Sequence, residues 1–147
     1  MLPSGKHLGG APLNFAYIAS LLGERAVIAT RVGEDSLGRE IRIELDARNV
    51  NTSEIQSDAK LPTGTVNVEF HNGQPHYDIR KPVAWDALEW SSEWQRLARQ
   101  CDAVCFGTLA QRSTESRSTI LEFLKHTQGS CLKIFDINLR RPFYSRR

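Results

Sequence analysis

Short apolar runs alternate with segments of helical period along most of this chain, and that alternation restricts the fold more than any other feature of the sequence. From Leu13 the apolar or small residues Leu13, Ala16, Tyr17, Ser20 and Leu21 recur at helical spacing, with Pro12 suited to a first turn and Gly23 to a C-terminal cap. This predicts a helix over 12–22. Residues 26–32 then form a strand-like run, Gly33-Glu34-Asp35-Ser36 turns the chain, and Leu37, Ile41 and Leu45 mark a second helix. Ser92, followed three residues later by Gln95, has the pattern of a capping box and opens a helix that buries Trp94, Leu97 and Ala98. Residues 103–107 read as a buried strand. Ser113 caps a further helix carrying Ile120, Leu121 and Leu124 on one face and ending near Gly129, and 131–137 read as another buried strand. Strands separated by helices need right-handed crossovers. The expected class is therefore α/β, a parallel sheet through 26–32, 103–107 and 131–137 with helices on both faces.

The middle of the chain changes period. Residues 65–70 alternate as a strand, Asn72-Gly73 is the strongest short hairpin signal, and 76–80 return as the partner strand. The hairpin is an excursion from the parallel sheet.

Composition excludes several classes. A chain of 147 residues with 40% hydrophobic and 24% charged residues suits one packed soluble domain. A net charge of +2, with both signs interspersed, leaves no basic stripe for nucleic acid. The basic cluster Arg140, Arg141, Arg146 and Arg147 is terminal. No run approaches the roughly 20 apolar residues of a membrane span and the amino terminus has no signal-peptide core, so a cytoplasmic protein without a membrane partner is expected. Cys101, Cys105 and Cys131 lie in or beside apolar runs, as reduced core thiols do, and Cys101 and Cys105 have no His pair at zinc-ligand spacing. Neither the Gly-x-Gly-x-x-Gly of a dinucleotide site nor a Walker-type Gly-x-x-x-x-Gly-Lys-Ser/Thr occurs.

Open α/β sheets bind ligands at the carboxyl ends of their strands, which singles out the turns after Val32, Gly107 and Ile137. Ahead of the first helix, Gly9-Gly10-Ala11-Pro12-Leu13-Asn14 places two glycines before free helix-start N–H groups and a carboxamide one turn inside. Glycines admit a hydroxylated ligand to the backbone, and a carboxamide both donates to and accepts from a hydroxyl. The same string also fits a tight loop before a Pro-led helix. Gly33-x-Asp35-x-x-Gly38 reads as structural, its Asp capping the next helix and its first Gly turning the chain.

Four strings occur in order: Gly9-Gly10-Ala11-Pro12-Leu13-Asn14-Phe15-Ala16, Arg31-Val32-Gly33-Glu34-Asp35-Ser36-Leu37-Gly38, Phe106-Gly107-Thr108-Leu109-Ala110-Gln111-Arg112 and Phe135-Asp136-Ile137-Asn138-Leu139-Arg140. In this order and spacing the chain resembles the ribokinase-like (PfkB-type) carbohydrate kinases. Pro82-Val83-Ala84-Trp85-Asp86 adds a likeness to bacterial fructokinases of that family. The resemblance implies a partial ribokinase-like, doubly wound Rossmann-type α/β domain with a small β lid at about 61–81, ATP and Mg²⁺ as cosubstrates, and phosphorylation of a sugar hydroxyl, fructose first. It assigns sugar binding to Gly9, Gly10 and Asn14, with Tyr77 and Arg80 of the lid and Gln111 as further sugar contacts. Arg112 ranks below these. Asn138 and Arg140 fall near the phosphate, where an amide and a guanidinium fork bind oxygens. In the family a strand ending in Asp precedes the Gly-Gly motif, and a later Gly-Ala-Gly-Asp segment supplies phosphate donors and the base. Neither is among these 147 residues, which expects an incomplete amino-terminal part with no catalytic or metal-ligating residue of its own. The alternatives are an inactive fragment and a sugar-binding or dimerisation module, with a homodimer through the lid left open.

Overall fold

The computed structural model describes residues 5–71, 73–140 and 143. Helix α1, Ala11–Leu21, starts with a proline in its first turn and buries Leu13 and Ala16. It stops at Leu22, after which Gly23 takes a positive φ of 90° that a residue with a Cβ rarely adopts. Strand β1, Thr30–Gly33, is shorter than the 26–32 run, of which Val27 makes only an isolated parallel bridge to Asn51. After helix α2, Ser36–Ala47, comes a strand the sequence did not reveal, β2, Ile55–Asp58. It pairs parallel with β1 from Thr30↔Ile55 to Gly33↔Asp58, completing a βαβ unit. Leu13, Ala16, Ile28, Val32, Leu45, Val50 and Ile55 form the apolar core of this half.

Strands β3, Val66–His71, and β4, Gln74–Ile79, pair antiparallel from Val66↔Ile79 to His71↔Gln74. That register leaves the two-residue turn expected at Asn72-Gly73. Asn72 lies outside the described residues, and Gly73 has a φ of 77°, as a tight hairpin turn requires. Val66, Val68 and Phe70, two residues apart along β3, are exposed.

The remaining elements form a second parallel pair. Helix α3, Ser92–Gln100, is capped by Ser91 and not by Ser92: the Ser91 hydroxyl accepts the Trp94 N–H at 3.2 Å. Two adjacent serines satisfy the same capping rule, and the chain uses the one with extended backbone. Strand β5, Ala103–Gly107, pairs parallel with β6, Leu132–Asp136, across helix α4, Thr114–His126. Ser113 caps α4 as expected, accepting the Ser116 N–H at 3.2 Å. The buried face of α4 carries Ser116, Thr119 and Phe123, with Ile120 partly buried, whereas Leu121 is 44% exposed. The polar members of that face are satisfied: Thr119 Oγ1 donates to the Leu88 carbonyl at 2.7 Å, and Ser116 Oγ to that of Trp85 at 2.9 Å. Leu88, Trp94, Ala98 and Phe123 make the core of this half.

The chain is thus α/β with parallel strand pairs, but among the described residues β1–β2, β3–β4 and β5–β6 are separate ladders and do not join in one sheet. Nor are β5 and β6 the buried strands their composition suggests: no residue of β5 is buried, Leu132 and Phe135 of β6 are 61% and 47% exposed, and Ile137 just after it 64%. An apolar run reports what its side chains favour, not whether another element covers them. No described helix is long and apolar enough to cross a membrane. Of the terminal arginines only Arg140 lies within the described residues.

Asp35 ties the βαβ unit to the foot of the hairpin. Its carboxylate accepts the Gly38 N–H at 2.8 Å, the Thr63 N–H at 2.8 Å and the Thr63 hydroxyl at 2.7 Å, while Thr63 Oγ1 accepts the Gly33 N–H at 2.9 Å. Gly33 serves close approach and not a turn, since a Cβ there would lie 2.6 Å from Thr63 N and 2.7 Å from the Leu61 oxygen. Nearby, Asp58 accepts the N–H groups of Lys60 and Leu61, each at 2.8 Å, and pairs with Arg31 at 3.0 Å.

Both carboxyls titrate below their ordinary range. At Asp35 burial pushes the pKa up, and the bonds from Thr63, Gly38 and Leu37 outweigh it. At Asp58 the Leu61 N–H lowers it first, against burial, with Lys60 and Arg31 adding to the fall. A carboxyl depressed in the folded state contributes stability that is fully present above its unfolded pKa of about 3.9 and is lost as pH falls through the folded value. The expected outcome is a urea midpoint that falls steeply below about pH 4. Asp35→Asn, which cannot accept both Thr63 donors as a carboxylate does, should lower the midpoint at neutral pH and flatten the acid limb. Equal acid slopes in the two proteins would count against this account.

Candidate functional site

The glycine loop is shaped by backbone first. Gly10 has φ 115° and ψ 141°, a conformation open to glycine, and its carbonyl accepts the Asn14 N–H at 2.9 Å to start α1. A Cβ placed on Gly9 or Gly10 would meet nothing within 4 Å, so both glycines border open space. The Asn14 side chain is exposed and makes no hydrogen bond among the described residues, leaving donor and acceptor available. With Ala11, Phe15, Ile18, Ala19 and Leu22 it lines a shallow groove along α1.

The turns after β5 and β6 are locked together. Thr108 donates its N–H to the Asp136 carbonyl at 3.2 Å and its hydroxyl to that of Asn138 at 3.2 Å. Asn138 N–H donates to Asp136 Oδ1 at 3.1 Å, and the Asn138 side chain is exposed at this edge. Gln111 Nε2 donates to the Gly107 carbonyl at 2.9 Å, which commits one amide hydrogen to closing the strand end.

Two residues named separately in the sequence meet here: the Arg140 guanidinium lies 4.4 Å from the centroid of the Tyr77 ring, joining the segment after β6 to the hairpin. Arg80 sits one residue beyond β4 with its side chain exposed, and what it gives the site is a backbone carbonyl. No hydrogen bond joins the Asn14 side chain to this group.

At the centre lies Arg112, a residue the sequence places below the other candidates. Arg112, in the short 3₁₀ turn Leu109–Arg112, grips Asp86 with two parallel bonds, Nε to Oδ1 at 2.7 Å and Nη2 to Oδ2 at 2.8 Å. Nη2 also donates to the Arg80 carbonyl at 2.7 Å. The guanidinium stacks 4.1 Å from Trp85 and 4.5 Å from Phe143, with side chains 5% exposed for Arg112 and 9% for Asp86. Its Nη1 is buried without a hydrogen-bond partner. Arg112 therefore fastens the end of the hairpin to the end of β5. The available signal was the Trp85-Asp86 pair, since an aromatic face beside a carboxylate suits a planar cation.

The donors collected at this edge, Asn138 and Arg140, suit phosphate oxygens. A metal is less well provided for: among the described residues no group of three or more His, Cys, Asp or Glu side chains could hold one.

The uncharacterized sugar kinase PH1459 of Pyrococcus horikoshii is 33% identical over 135 residues, covering 92% of this chain and 44% of that protein. Its crystal structure superposes with a TM-score of 0.86 over 95% of this chain and 46% of that one at 31% identity, and it has also been solved in complex with ATP. The 2-dehydro-3-deoxygluconokinase of Thermoproteus tenax is 38% identical over 66 residues, 45% of this chain and 20% of that protein. Apo fructokinase from Vibrio cholerae gives a TM-score of 0.79 at 25% identity, over 98% of this chain and 52% of that one, and has been solved with fructose, ADP and calcium ion. The chain spans less than half the length of these curated relatives. Residues 4–147 match the family described as pfkB family carbohydrate kinase, and with the α/β architecture and the ordered motifs this places the chain in that family.

Proposed function

We propose that this chain carries the sugar-binding part of a kinase that transfers phosphate from ATP to a sugar hydroxyl, with fructose the first candidate. One observation carries the reading: within a pfkB family match over residues 4–147, the glycines at 9 and 10 border open space beside an Asn14 whose carboxamide makes no hydrogen bond among the described residues. Such a loop offers backbone and amide partners to adjacent hydroxyls. Tyr77, Arg80 and Gln111 complete the sugar side. Fructose is favoured by the fructose-bound Vibrio cholerae fructokinase; a sugar acid such as 2-keto-3-deoxygluconate ranks second, from the Thermoproteus tenax relative.

ATP is supported by the nucleotide complexes of two relatives. Asn138 and Arg140 would hold phosphate oxygens, the guanidinium countering charge on the migrating group. Mg²⁺ would neutralise charge on the nucleotide when bound.

The second reading, a sugar-binding or dimerisation module without turnover, rests on the hairpin, which exposes Val66, Val68 and Phe70, an apolar row suited to pairing with a second copy.

One experiment tests the sugar site and the division of labour. The chain is titrated calorimetrically with fructose, ribose and 2-keto-3-deoxygluconate, then incubated with Mg·ATP and each sugar while ADP and sugar phosphate are followed. Sugar binding without turnover is the expected result. Absence of binding to any sugar would overturn the sugar-site assignment, and turnover at roughly the 1–100 s⁻¹ of complete kinases would overturn the division of labour. Asn14→Ala should weaken sugar binding by about 1–3 kcal/mol with an unchanged unfolding midpoint.

A further inference from the structure

We propose that Cys101 and Cys131 form a dithiol pair that closes reversibly to an intrachain disulfide. Their sulfurs are 3.6 Å apart, and all three cysteines are free thiols. Cys101 ends α3, its N–H donating to the Leu97 carbonyl at 3.0 Å, and Cys131 directly precedes β6, its N–H donating to that of Gln128 at 3.0 Å. The two backbones are already neighbours: Leu132 N–H donates to the Asp102 carbonyl at 2.8 Å, and Ala103↔Leu132 is the first rung of the β5–β6 ladder. A disulfide needs the sulfurs at about 2.05 Å, a closure that side-chain torsions can supply between chains held this close. Cys105 stands further along β5, opposite Ile134.

Oxidation takes a small disulfide as co-reactant. The thiolate of Cys101, the more accessible of the two, attacks one sulfur of oxidised glutathione, forming a mixed disulfide and expelling one glutathione thiolate. Cys131, deprotonated, then attacks the Cys101 sulfur and expels the second. The protein loses two electrons and two protons; the glutathione disulfide gains both. Burial raises the Cys101 pKa to about 11, helped by the Cys131 thiol and the Asp102 charge, so the thiolate is scarce at neutral pH and closure is slow. The bond closes the amino-terminal end of the β5–β6 ladder, opposite the strand ends that carry Gly107, Thr108 and Asn138. It stiffens this half without touching the proposed sugar contacts.

The test is exposure of the full chain to oxidised glutathione, acid quench, alkylation of remaining thiols, and intact mass with peptide mapping. The expected product has lost about 2 Da, alkylates at Cys105 alone, links the Cys101 and Cys131 peptides, and melts roughly 5 °C higher until dithiothreitol restores it. Cys105→Ser should still form the link and Cys101→Ser should not. Three alkylated thiols after prolonged oxidation, stable glutathione adducts on both residues, bonds between chains, or a link through Cys105 would each overturn the proposal.

Discussion

Arg112→Ala is expected to lower the unfolding free energy by about 3–5 kcal/mol, the cost of leaving one member of a buried ion pair without its partner. Asp86 is 9% exposed and holds two oxygens against the guanidinium at 2.7 and 2.8 Å. With Arg112 gone, the bond from the Val83 N–H at 3.1 Å remains to Asp86 Oδ2, which is too little for a buried charge. Trp85 and Phe143 lose the cation between them, and the Arg80 carbonyl loses its donor. Arg112→Lys should lie between the two, keeping the charge while losing the fork and the planar stack. Equilibrium urea unfolding measures all three. The double change Arg112→Met with Asp86→Asn should recover much of the loss, because it removes both charges and keeps an acceptor for Val83. A cost below about 1 kcal/mol for Arg112→Ala would mean that the pair behaves as a solvated surface contact.

Gly38→Ala should destabilise by about 3 kcal/mol or more, against the sign that helix propensity gives. In an exposed helix interior, replacing glycine by alanine gains about 1 kcal/mol. Here the added Cβ would stand 2.1 Å from the Gly33 carbonyl oxygen, 3.0 Å from Thr63 Oγ1 and 3.2 Å from Val32 Cγ2. The nearest atom is backbone, fixed by the Asp35–Thr63 bonds, so α2 must move and the Asp35 cap moves with it. Gly9→Ala, with nothing within 4 Å of its Cβ, provides the contrast and should change stability by less than about 0.5 kcal/mol. Thermal unfolding of the two variants beside the parent decides the matter: a neutral or stabilising Gly38→Ala would show that the approach of α2 to β1 is looser than described.

Legibility followed locality. Strand β5 lies where the 103–107 run put it, Ser113 caps α4, and the hairpin register leaves room for its two-residue turn, because each rests on a signal carried by adjacent residues. Strand β2 was hidden: Ile55-Gln56-Ser57-Asp58 has one strongly apolar residue, and its strand character comes from pairing with β1. Whether the ladders merge was also beyond local pattern, being decided by which elements lie between them. At the site, Tyr77 and Arg140 were each named, but their stacking depends on the fold of the hairpin against the segment after β6. Arg112 was underrated for the same reason, since its partners Asp86, Trp85 and the Arg80 carbonyl are contributed by a distant stretch of chain.

The two apolar clusters, one around Leu45 and Val50 and the other around Trp94 and Phe123, are bridged by polar contacts. Arg31 donates to the Ala87 carbonyl at 2.6 Å, Gln56 exchanges bonds with the Glu89 backbone at 2.6 and 3.0 Å, and the Trp94 indole N–H reaches the Glu54 carbonyl at 3.1 Å. A seam of this kind transmits geometry but little packing strain, because a hydrogen bond nets about 1 kcal/mol and tolerates small shifts that a close-packed interface does not. Across this seam, substitutions around Leu45 and Val50 are expected to couple only weakly to those around Trp94 and Phe123.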